Sequence, residues 1–335
     1  MTPISARTLQ DIYEVLNSFG VRATNVHDIR SGRVNKHWRV SAGTSQYALR
    51  CYNHHRTPQS IQFEHEVLQR MERKGWPVAA PLLSRQSQTF VNVLDRWYAL
   101  FPFLVGRPSP VNSLRYLRIK GGLLARLHHD LASWPVGAQR EGFAPIWDLD
   151  GYMDGQTFDA VLDAFGHEQP EIADVIRSQR LVNLQELANL NDESLPDTIV
   201  HGDFHTDNVL FYRRRLTAVL DFDLVHIDAL VADIATSIAG DCPAPPTYMS
   251  IDPEAVGAFV GGYSDETPLG EFELRLIVPY LRAYFLWLCA FNLSRWAEGD
   301  VEKATRSLTR SAMQRLPNLE ARRDAIERAL TAAAK

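Results

Sequence analysis

Over roughly the first hundred residues, apolar and polar positions mostly alternate with a period of two, which predicts strands after one N-terminal helix. The predicted strands cover residues 24–30, 34–41, 46–51, 89–94 and 97–103, with turns at 31–33, 42–44 and 95–96. One helix is predicted inside this region, over residues 59–74, where apolar positions recur at helical spacing. The pattern indicates a small antiparallel sheet accompanied by one long helix.

Beyond Gly106 the period changes to 3.6, and helices are expected almost throughout apart from one hairpin of residues 209–212 and 216–220. The first of these helices is expected over residues 114–131. A closing amphipathic helix is expected from Arg306 onwards. The long apolar run at 276–293 contains a proline, an arginine and an asparagine, so it predicts a buried helix rather than a membrane span.

Four aromatic side chains in or beside the apolar run are predicted to fill the core of the helical region: Tyr280, Tyr284, Trp287 and Trp296. An aromatic cage for a quaternary ammonium group is the alternative interpretation.

The composition is that of a globular enzyme, with 335 residues, a net charge of -5 and 45% hydrophobic residues. The charge gives no reason to expect binding to nucleic acid or to an anionic membrane. The three cysteines are too scattered for a disulfide framework or a zinc site, and residues 1–20 lack the pattern of a signal peptide. We therefore expect a cytoplasmic protein.

Residues 201–208, with the sequence His-Gly-Asp-Phe-His-Thr-Asp-Asn, carry the candidate chemistry. Asp203 and Asn208 are five residues apart, as in the catalytic loop of kinases, where the Asp accepts the proton of the attacking hydroxyl and the Asn binds magnesium. The predicted hairpin would bring Asp221 back beside Asn208, where it could also hold Mg²⁺ through oxygen. A hairpin with solvated acids is the ordinary alternative, because Asp, Asn and Gly are common turn residues.

These residues resemble the aminoglycoside phosphotransferase family, whose relatives include homoserine kinase and choline kinase. The resemblance rests on the catalytic loop, on Leu-Asp-Phe-Asp at 220–223 and on Ala-Asp-Ile-Ala at 232–235. It implies that Asp233 ties the start of a helix to the loop and that His201 supports the loop backbone. Asp223 would pair with a cation or touch the metal, and His205 would shape the loop.

The turn between the first two strands is the candidate nucleotide loop. Ser31, Gly32 and Asn35 lie in a segment that resembles the Gly-Gly-x-x-Asn loop of the family, although it holds a single glycine; an ordinary hairpin turn is the alternative. Arg50 occupies the place of the phosphate-binding lysine of kinases and can bind phosphate in a bidentate manner. A strand-end arginine in solvent is the alternative for Arg50.

The helix at 59–74 is expected to supply an acid that pairs with Arg50. Glu64 lies near the centre of the apolar face, whereas Glu66 lies roughly 160° away around the helix. Burying Glu64 without a cation would be costly, so Glu64 is the predicted partner. Residues 100–107, which include Phe101 and Phe103, resemble the hinge that contacts the adenine; ATP is expected and GTP is not excluded.

Two further features bear on the candidate site. His128, in Ala-Arg-Leu-His at 125–128, is expected to be a hydrogen-bonded core residue beneath the loop. Residues 141–176 contain nine acids and no Lys or Arg before Arg177. Such a run is typical of a solvated face, and a wall for a cationic substrate is the alternative.

The resemblance implies an α+β, protein-kinase-like bilobal fold, with an N-terminal nucleotide-binding lobe over residues 1–103 and a helical catalytic and substrate lobe over 104–335. The expected function is Mg²⁺-dependent transfer of the γ-phosphoryl of ATP to a hydroxyl of a small molecule, which can be cationic. An aminoglycoside, an amino sugar, homoserine and choline all fit the motifs. A catalytically inactive nucleotide-binding protein and a metal hydrolase are the alternatives.

Overall fold

A computed structural model describes residues 6–29, 34–134, 137–153, 156–189 and 195–334 of the chain. The helices are α1 (Ala6–Ser18), α2 (Pro58–Arg73), α3 (Leu114–Ala132), α4 (Phe158–Gly166), α5 (Pro170–Asn189), α6 (Leu230–Asp241), α7 (Pro253–Glu266), α8 (Glu271–Ala297), α9 (Val301–Arg310) and α10 (Leu316–Ala333). The strands are β1 (Asn25–Ile29), β2 (Lys36–Ala42), β3 (Ser45–Cys51), β4 (Val91–Val93), β5 (Arg96–Pro102), β6 (Arg107–Pro108), β7 (Asp197–Val200), β8 (Val209–Tyr212), β9 (Arg215–Val219), β10 (His226–Ala229), β11 (Pro243–Ala244) and β12 (Ser250–Ile251).

The chain folds into two compact units. The first unit comprises Met1–Arg107 together with two later segments, Arg140–Gly142 and Leu210–Asp223. The second unit comprises the remaining segments, Pro108–Gln139, Phe143–Val209 and Leu224–Lys335. The membership of the two later segments in the first unit was not predicted. The lobe boundary between residues 103 and 104 stays a prediction.

The first unit is built on an antiparallel sheet with the strand order β1-β2-β3-β5-β4. Apolar side chains of α1 and of the sheet form its core, because both elements present one apolar face: Ile12, Val15 and Leu16 pack with Trp38, Val40 and Leu49. Helix α2 begins at Pro58, where the Thr57 hydroxyl caps the helix by accepting the Ser60 N–H at 3.2 Å. The predicted strands and helix are confirmed, with shifts of up to two residues at their ends in the described part of the chain.

The second unit is mostly helical, but it contains strand pairs that were not predicted. β7 and β10 pair antiparallel, with Val200 opposite His226. Strand β7 ends immediately before the 201–208 loop, and β10 begins two residues after Leu224. The expectation of helices almost throughout this region, apart from one hairpin, holds for most of the described residues. It missed these strand pairs, because strands of two to four residues are too short to show a clear period of two.

Helix α8 is long and apolar enough to cross a membrane, but 78% of its apolar window is buried inside the protein. It carries the proline, arginine and asparagine noted in the sequence, and all three side chains are buried. Arg282 is ion-paired with Glu186 of α5 and Glu320 of α10. Helix α8 is thus a core helix, and its arginine joins it to two neighbouring helices.

Helices α3 and α7 approach each other closely at two glycines. A Cβ at Gly121 would lie 1.9 Å from the carbonyl oxygen of Phe259, and a Cβ at Gly262 would lie 1.9 Å from that of Arg118. Both obstacles are backbone atoms, so neither can be relieved by a side-chain rotation. The close contact between α3 and α7 therefore requires glycine at positions 121 and 262.

Gly262→Ala should lower the free energy of unfolding by about 2 kcal/mol or more, because the added methyl forces the two helix backbones apart. Urea unfolding followed by circular dichroism measures the change. Gly257→Ala, in the same helix, is the control: its Cβ would meet its nearest neighbours at 3.9 Å. It should leave the stability unchanged or raise it by up to about 1 kcal/mol. Equal effects of the two substitutions would contradict the close contact.

Candidate active site

The loop between β7 and β8 holds Asp203 and Asn208 in direct contact. The Asn208 side-chain amide donates to the Asp203 carboxylate and to the Asp203 carbonyl oxygen, at 2.8 Å in each case. The Asp203 side chain is 30% exposed, whereas Asn208 is buried. The loop therefore presents a carboxylate to solvent and fixes it with an amide, and the amide oxygen of Asn208 takes no part in these bonds.

Gly202 stands where kinases carry an arginine, and the geometry explains why. Its φ is +78°, in the left-handed region that favours glycine. A Cβ here would also lie 2.4 Å from the carbonyl oxygen of Leu224. The residue before Asp203 must therefore be glycine for the loop to pack against the segment that leads into β10.

Asp233, in the first turn of α6, anchors the start of the loop. Its carboxylate accepts the backbone N–H of His201 at 2.7 Å and that of Gly202 at 2.9 Å. The His128 Nε2 lies 3.0 Å from the same carboxylate, and the His128 Nδ1 lies 2.9 Å from the Tyr263 hydroxyl. Burial acts to raise the pKa of Asp233, but the hydrogen bond from His128 and the neighbouring His201 outweigh it and lower the pKa. The predicted core position of His128 is confirmed.

The two histidines of the loop hold its backbone conformation through hydrogen bonds. His201 Nδ1 accepts the Asp203 N–H at 3.2 Å, and His205 Nδ1 accepts the Asp207 N–H at 3.2 Å. The His205 Nε2 lies 3.3 Å from the Asp203 carboxylate. Burial acts to lower the pKa of His205, but the hydrogen bond with Asp203 outweighs it and the pKa is raised.

A buried ion pair that was not predicted holds the middle of the loop. Lys120 of α3 lies 2.5 Å from the Asp241 carboxylate, and both side chains are almost fully buried. Asp241 accepts the backbone N–H of Thr206 at 2.7 Å and its hydroxyl at 2.5 Å. The buried position of Lys120 was not predicted, because the residue lies within a helix whose pattern is otherwise amphipathic.

In the first unit, Arg50 of β3 is fixed by two partners. Its Nη1 donates to the Glu64 carboxylate at 2.6 Å, and its Nε donates to His37 Nε2 at 3.0 Å. Glu64 is fully buried, so the pairing predicted from helical spacing is present. Burial acts to lower the pKa of Arg50, but the charge of Glu64 more than offsets it and keeps the guanidinium protonated.

Asp221 and Asp223 follow the β8–β9 hairpin, in which the Thr217 hydroxyl donates to the Leu210 carbonyl at 3.2 Å. Asp221 has a φ of +58°, and its half-exposed carboxylate lies 3.6 Å from Arg50 Nη2. Asp223 is buried and pairs with Arg56 at 2.9 Å. Burial acts to raise the pKa of Asp223, but the charges of Arg56 and Arg50 hold it below its ordinary value.

Arg140 joins the helix α2 to the segment that carries these two acids. Its Nε donates to the Ser60 carbonyl at 2.9 Å, and its Nη1 donates to the Asp223 carbonyl at 2.8 Å. Its Nη2 lies 3.5 Å from the Glu64 carboxylate. The side chain is fully buried, and burial lowers its pKa to about 10 although Glu64 opposes the shift. No periodic pattern in the sequence indicates this residue, because it lies in an irregular segment.

The remaining nucleotide-binding predictions have different outcomes. Ser31 and Gly32 lie outside the described residues. Asn35 is buried, and its side-chain amide oxygen Oδ1 accepts the Asn53 backbone N–H at 2.9 Å, which gives it a structural role within the unit. Phe101 is buried beneath the Arg50 guanidinium, 5.1 Å from ring to Cζ, and Phe103 lies under Arg39 at 4.6 Å. Their contact with a nucleotide stays a prediction.

The acidic run is a solvated face over its described residues. Asp159 is ion-paired with Arg180, and Asp163 and Asp174 are ion-paired with Arg177. All three acids are largely exposed. Because arginines of α5 offset much of their charge, this run is a weak candidate for a cation-binding wall.

Of the four aromatic side chains of α8 that were predicted to fill the core, Tyr280 alone is buried. Trp296 is partly exposed and packs edge to face on the buried ring of Phe165. Tyr284 and Trp287 are also partly exposed, and both line a pocket in the second unit. A helix that is apolar on nearly every side has no periodicity to separate core positions from pocket positions.

The described residues contain no group of three or more His, Cys, Asp or Glu side chains arranged to hold a metal ion. The candidate ligands Asn208 and Asp221 nevertheless fit Mg²⁺, because an amide oxygen and a half-exposed carboxylate are hard oxygen donors and Mg²⁺ is commonly bound by one or two protein groups plus phosphates.

Comparison with known proteins identifies the family. The model of the phosphotransferase enzyme family (APH) matches residues 25–273, most of the chain. The chain belongs to this family. The matched region includes Arg50, Asp203, Asn208 and Asp221. The predicted class, a phosphotransferase acting on hydroxyl groups of small molecules, is confirmed.

Similar sequences are homoserine kinases. That of Methylocella silvestris is 26% identical over 299 residues, 88% of this chain and 87% of the relative. That of Caulobacter sp. is 25% identical over 269 residues, 80% of each chain. The similarity therefore extends over most of both proteins.

Similar solved structures confirm the protein-kinase-like fold. A microcompartment-associated aminopropanol kinase has a TM-score of 0.70 and 17% identity, and covers 95% of this chain and 98% of its own. An amicoumacin kinase in complex with AMP-PNP and Ca²⁺ has a TM-score of 0.68 and 15% identity, and covers 95% and 94%. The antiparallel sheet of the first unit and the helices of the second match the predicted fold class.

Arg140→Met should lower the free energy of unfolding by about 3 kcal/mol, because it leaves a buried carboxylate with one cation fewer and removes one donor from each of two carbonyl groups. Arg140→Lys should recover only part of the loss, since one ammonium cannot reach all three acceptors. Urea unfolding measures both changes. Arg96→Met, at an exposed arginine of the same unit, is the control. Stability of Arg140→Met equal to that of the wild type would contradict the role assigned to Arg140.

The stability of the first unit should fall as the pH falls from about 6.5 towards 4. Burial lowers the pKa of His65 to about 3 and, with help from Arg50, lowers that of His37 to about 4. In this pH window both histidines are protonated in the unfolded chain and neutral in the folded chain. Each histidine therefore lowers the free energy of unfolding by about 1.4 kcal/mol for every unit by which the pH falls. His65→Gln should reduce the slope of the unfolding free energy against pH by one proton. His167→Gln, at an exposed position, should leave the slope unchanged, and an unaltered slope in His65→Gln would contradict the assignment.

Proposed function

We propose that the chain transfers the γ-phosphoryl group of ATP to a hydroxyl of a small molecule, with Asp203 as the base. The observation that carries the proposal is the Asp203 carboxylate, partly exposed and fixed by the Asn208 amide at 2.8 Å. A carboxylate held in one orientation can align an attacking hydroxyl and accept its proton. The proton passes to Asp203 as the oxygen–phosphorus bond forms and the bond to the ADP oxygen breaks.

Arg50 is the proposed ligand of the triphosphate. Its Nε and Nη1 are used to hold the side chain, while its Nη2 points towards the half-exposed Asp221 at 3.6 Å. An arginine fixed in this way presents its remaining N–H groups to phosphate oxygens with little loss of side-chain entropy. Glu64 acts by placing Arg50, which explains how arginine can stand where most kinases have lysine.

Asn208 and Asp221 are the proposed Mg²⁺ ligands, and the ion would neutralise the charge that develops on the transferred phosphoryl. Asn208 directly precedes the β8–β9 hairpin and Asp221 follows it in the sequence. Asp223, neutralised by Arg56, is proposed to support this segment rather than to bind the metal. Ser31, Gly32, Asn35, Phe101 and Phe103 are proposed to surround the nucleotide. ATP as the donor is supported by the amicoumacin kinase, which was solved with the ATP analogue AMP-PNP.

The acceptor is proposed to be a small hydroxyl compound. Relatives and neighbours include homoserine kinases and an aminopropanol kinase. A protein acceptor is disfavoured, because β10 begins five residues after Asp221 and α6 follows at Leu230, which leaves little room for an activation loop. A cytoplasmic location is proposed on the basis of three buried cysteines without disulfides.

Asp203→Ala should reduce kcat by about 10²–10⁴-fold, the usual contribution of a positioned base, while binding of an ATP analogue stays largely unchanged. Magnesium-dependent ADP release with a panel of amino alcohols, amino sugars and aminoglycosides measures the first quantity, and calorimetry measures the second. Asp207→Ala, at an exposed acid of the same loop, is the matched control and should retain activity. Turnover that survives Asp203→Ala would contradict the mechanism.

A further inference from the structure

Tyr263 of α7 is joined to the candidate catalytic loop by hydrogen bonds, although α7 contributes no residue to that loop. Its hydroxyl lies 2.9 Å from the His128 Nδ1, and the His128 Nε2 lies 3.0 Å from the Asp233 carboxylate. All three side chains are buried, and the ring centroids of Tyr263 and His128 are 5.7 Å apart. One imidazole thus connects a hydroxyl of α7 to the carboxylate that anchors the start of the loop.

The two neighbours of His128 determine where its ring carries a proton. The Asp233 carboxylate accepts the backbone N–H groups of His201 and Gly202. Burial acts to raise its pKa, but the hydrogen bond with His128 outweighs it, so the carboxylate is ionised and only accepts hydrogen bonds. The His128 Nε2 must therefore be the donor. Its Nδ1 accepts from the Tyr263 hydroxyl in the neutral ring and donates to that hydroxyl in the charged ring, so Tyr263 is its partner among the described residues in both states.

The hydrogen bonds continue from this carboxylate to the proposed base. His201 and Gly202, whose N–H groups bind Asp233, are the two residues that precede Asp203. The His201 Nδ1 in turn accepts the Asp203 N–H at 3.2 Å. An unbroken series of hydrogen bonds therefore runs from the hydroxyl of α7 to the backbone of Asp203, and every residue in it belongs to the second unit.

The close contact between α3 and α7 brings Tyr263 within reach of His128. Gly262 directly precedes Tyr263, and a Cβ at Gly121 would lie 2.8 Å from the Tyr263 backbone nitrogen. His128 follows Gly121 in α3 by about two helical turns, which places it on the same side of the helix. Because the glycines let the two helix backbones approach each other, the hydroxyl contacts the imidazole directly.

Removing the hydroxyl would leave a polar atom of the ring buried without a partner, which is costly. The His128 ring could then shift or rotate to find another partner. Either movement would change the hydrogen bond that Asp233 receives and, through this carboxylate, the backbone before Asp203. A misplacement of about 1 Å can lower the rate of an enzyme by about 10²-fold.

We propose that Tyr263 is a positioning residue for the reaction: its hydroxyl holds the His128 ring, and the ring holds Asp233 in the orientation that fixes the backbone before Asp203. The proposal rests on the proposed function, in which Asp203 is the base. It gives a part in the reaction to α7, a helix that contains none of the motifs found in the sequence.

Hydrogen exchange of the His201 and Gly202 amides in the full chain tests the proposal without an acceptor. Tyr263→Phe removes only the hydroxyl and should speed exchange of these amides by about tenfold, and by at least about threefold more than exchange of the α5 amides, which report general destabilisation. Tyr280→Phe, at a buried tyrosine of α8 outside this series of hydrogen bonds, should leave the loop and α5 in their wild-type ratio. If Tyr263→Phe does not fold, His128→Gln takes its place, because it removes the imidazole and retains an N–H donor.

Kinetics with 3-aminopropan-1-ol, a member of the amino alcohol panel, measure the effect on the base. Tyr263→Phe should lower kcat by about tenfold. The affinity for AMP-PNP should stay unchanged, since Arg50, the proposed ligand of the triphosphate, belongs to the first unit. In the Asp203→Ala background, Tyr263→Phe should not lower the residual rate further, because the group that it positions is absent.

The outcomes separate this inference from the proposed function. Equal acceleration of exchange in the loop and in α5, or a wild-type kcat in Tyr263→Phe where turnover depends on Asp203, overturns the role of Tyr263. Turnover that survives Asp203→Ala contradicts the proposed base, whatever the exchange rates. Selective acceleration in the loop together with a lower kcat supports both. Where 3-aminopropan-1-ol is not turned over, the exchange rates alone decide the inference.

Discussion

The burial of one carboxylate constrains the first unit more than any other feature. Glu64 is fully buried, and an ionised carboxylate in that position destabilises the fold unless cations and hydrogen-bond donors surround it. Arg50 and Arg140 provide them, at 2.6 and 3.5 Å. Because Arg140 also donates to the backbone of Ser60 and of Asp223, pairing one charge joins the sheet, helix α2 and the two later segments of the chain. The guanidinium proposed to bind phosphate is therefore held by the same contacts that hold the unit together.

The catalytic loop in the second unit is built on the same principle. Asp233 and Asp241 are buried acids that accept backbone N–H groups of the loop, and each has a basic partner, His128 and Lys120 respectively. Charged acceptors bond N–H groups more strongly than neutral ones, so the loop is fixed at its beginning and its middle. Asp203, between these anchors, keeps its carboxylate partly exposed. Rigid support with one accessible charge is what a positioned base requires.

The sequence was most informative where the chemistry is local. The spacing of Asp203 and Asn208 and the place of Glu64 on its helix predicted contacts that the structure contains. Arg140 could not be found in this way, because its partners lie 80 and 83 residues away in the chain and no periodic pattern links them. The strands β7 and β10 are four residues long, too short for alternation to identify them. Trp287 was assigned to the core, since a uniformly apolar helix does not show which side faces a pocket.

The identity of the phosphorylated product tests the central claim most directly. Phosphorus NMR of the full chain with ATP, Mg²⁺ and 3-aminopropan-1-ol follows ATP, ADP, inorganic phosphate and any phosphate ester in one sample. The account predicts a phosphate monoester that grows in step with ADP and is absent with Asp203→Asn. Inorganic phosphate formed in its place, or a monoester that forms equally well with Asp203→Asn, would contradict transfer to a hydroxyl activated by Asp203.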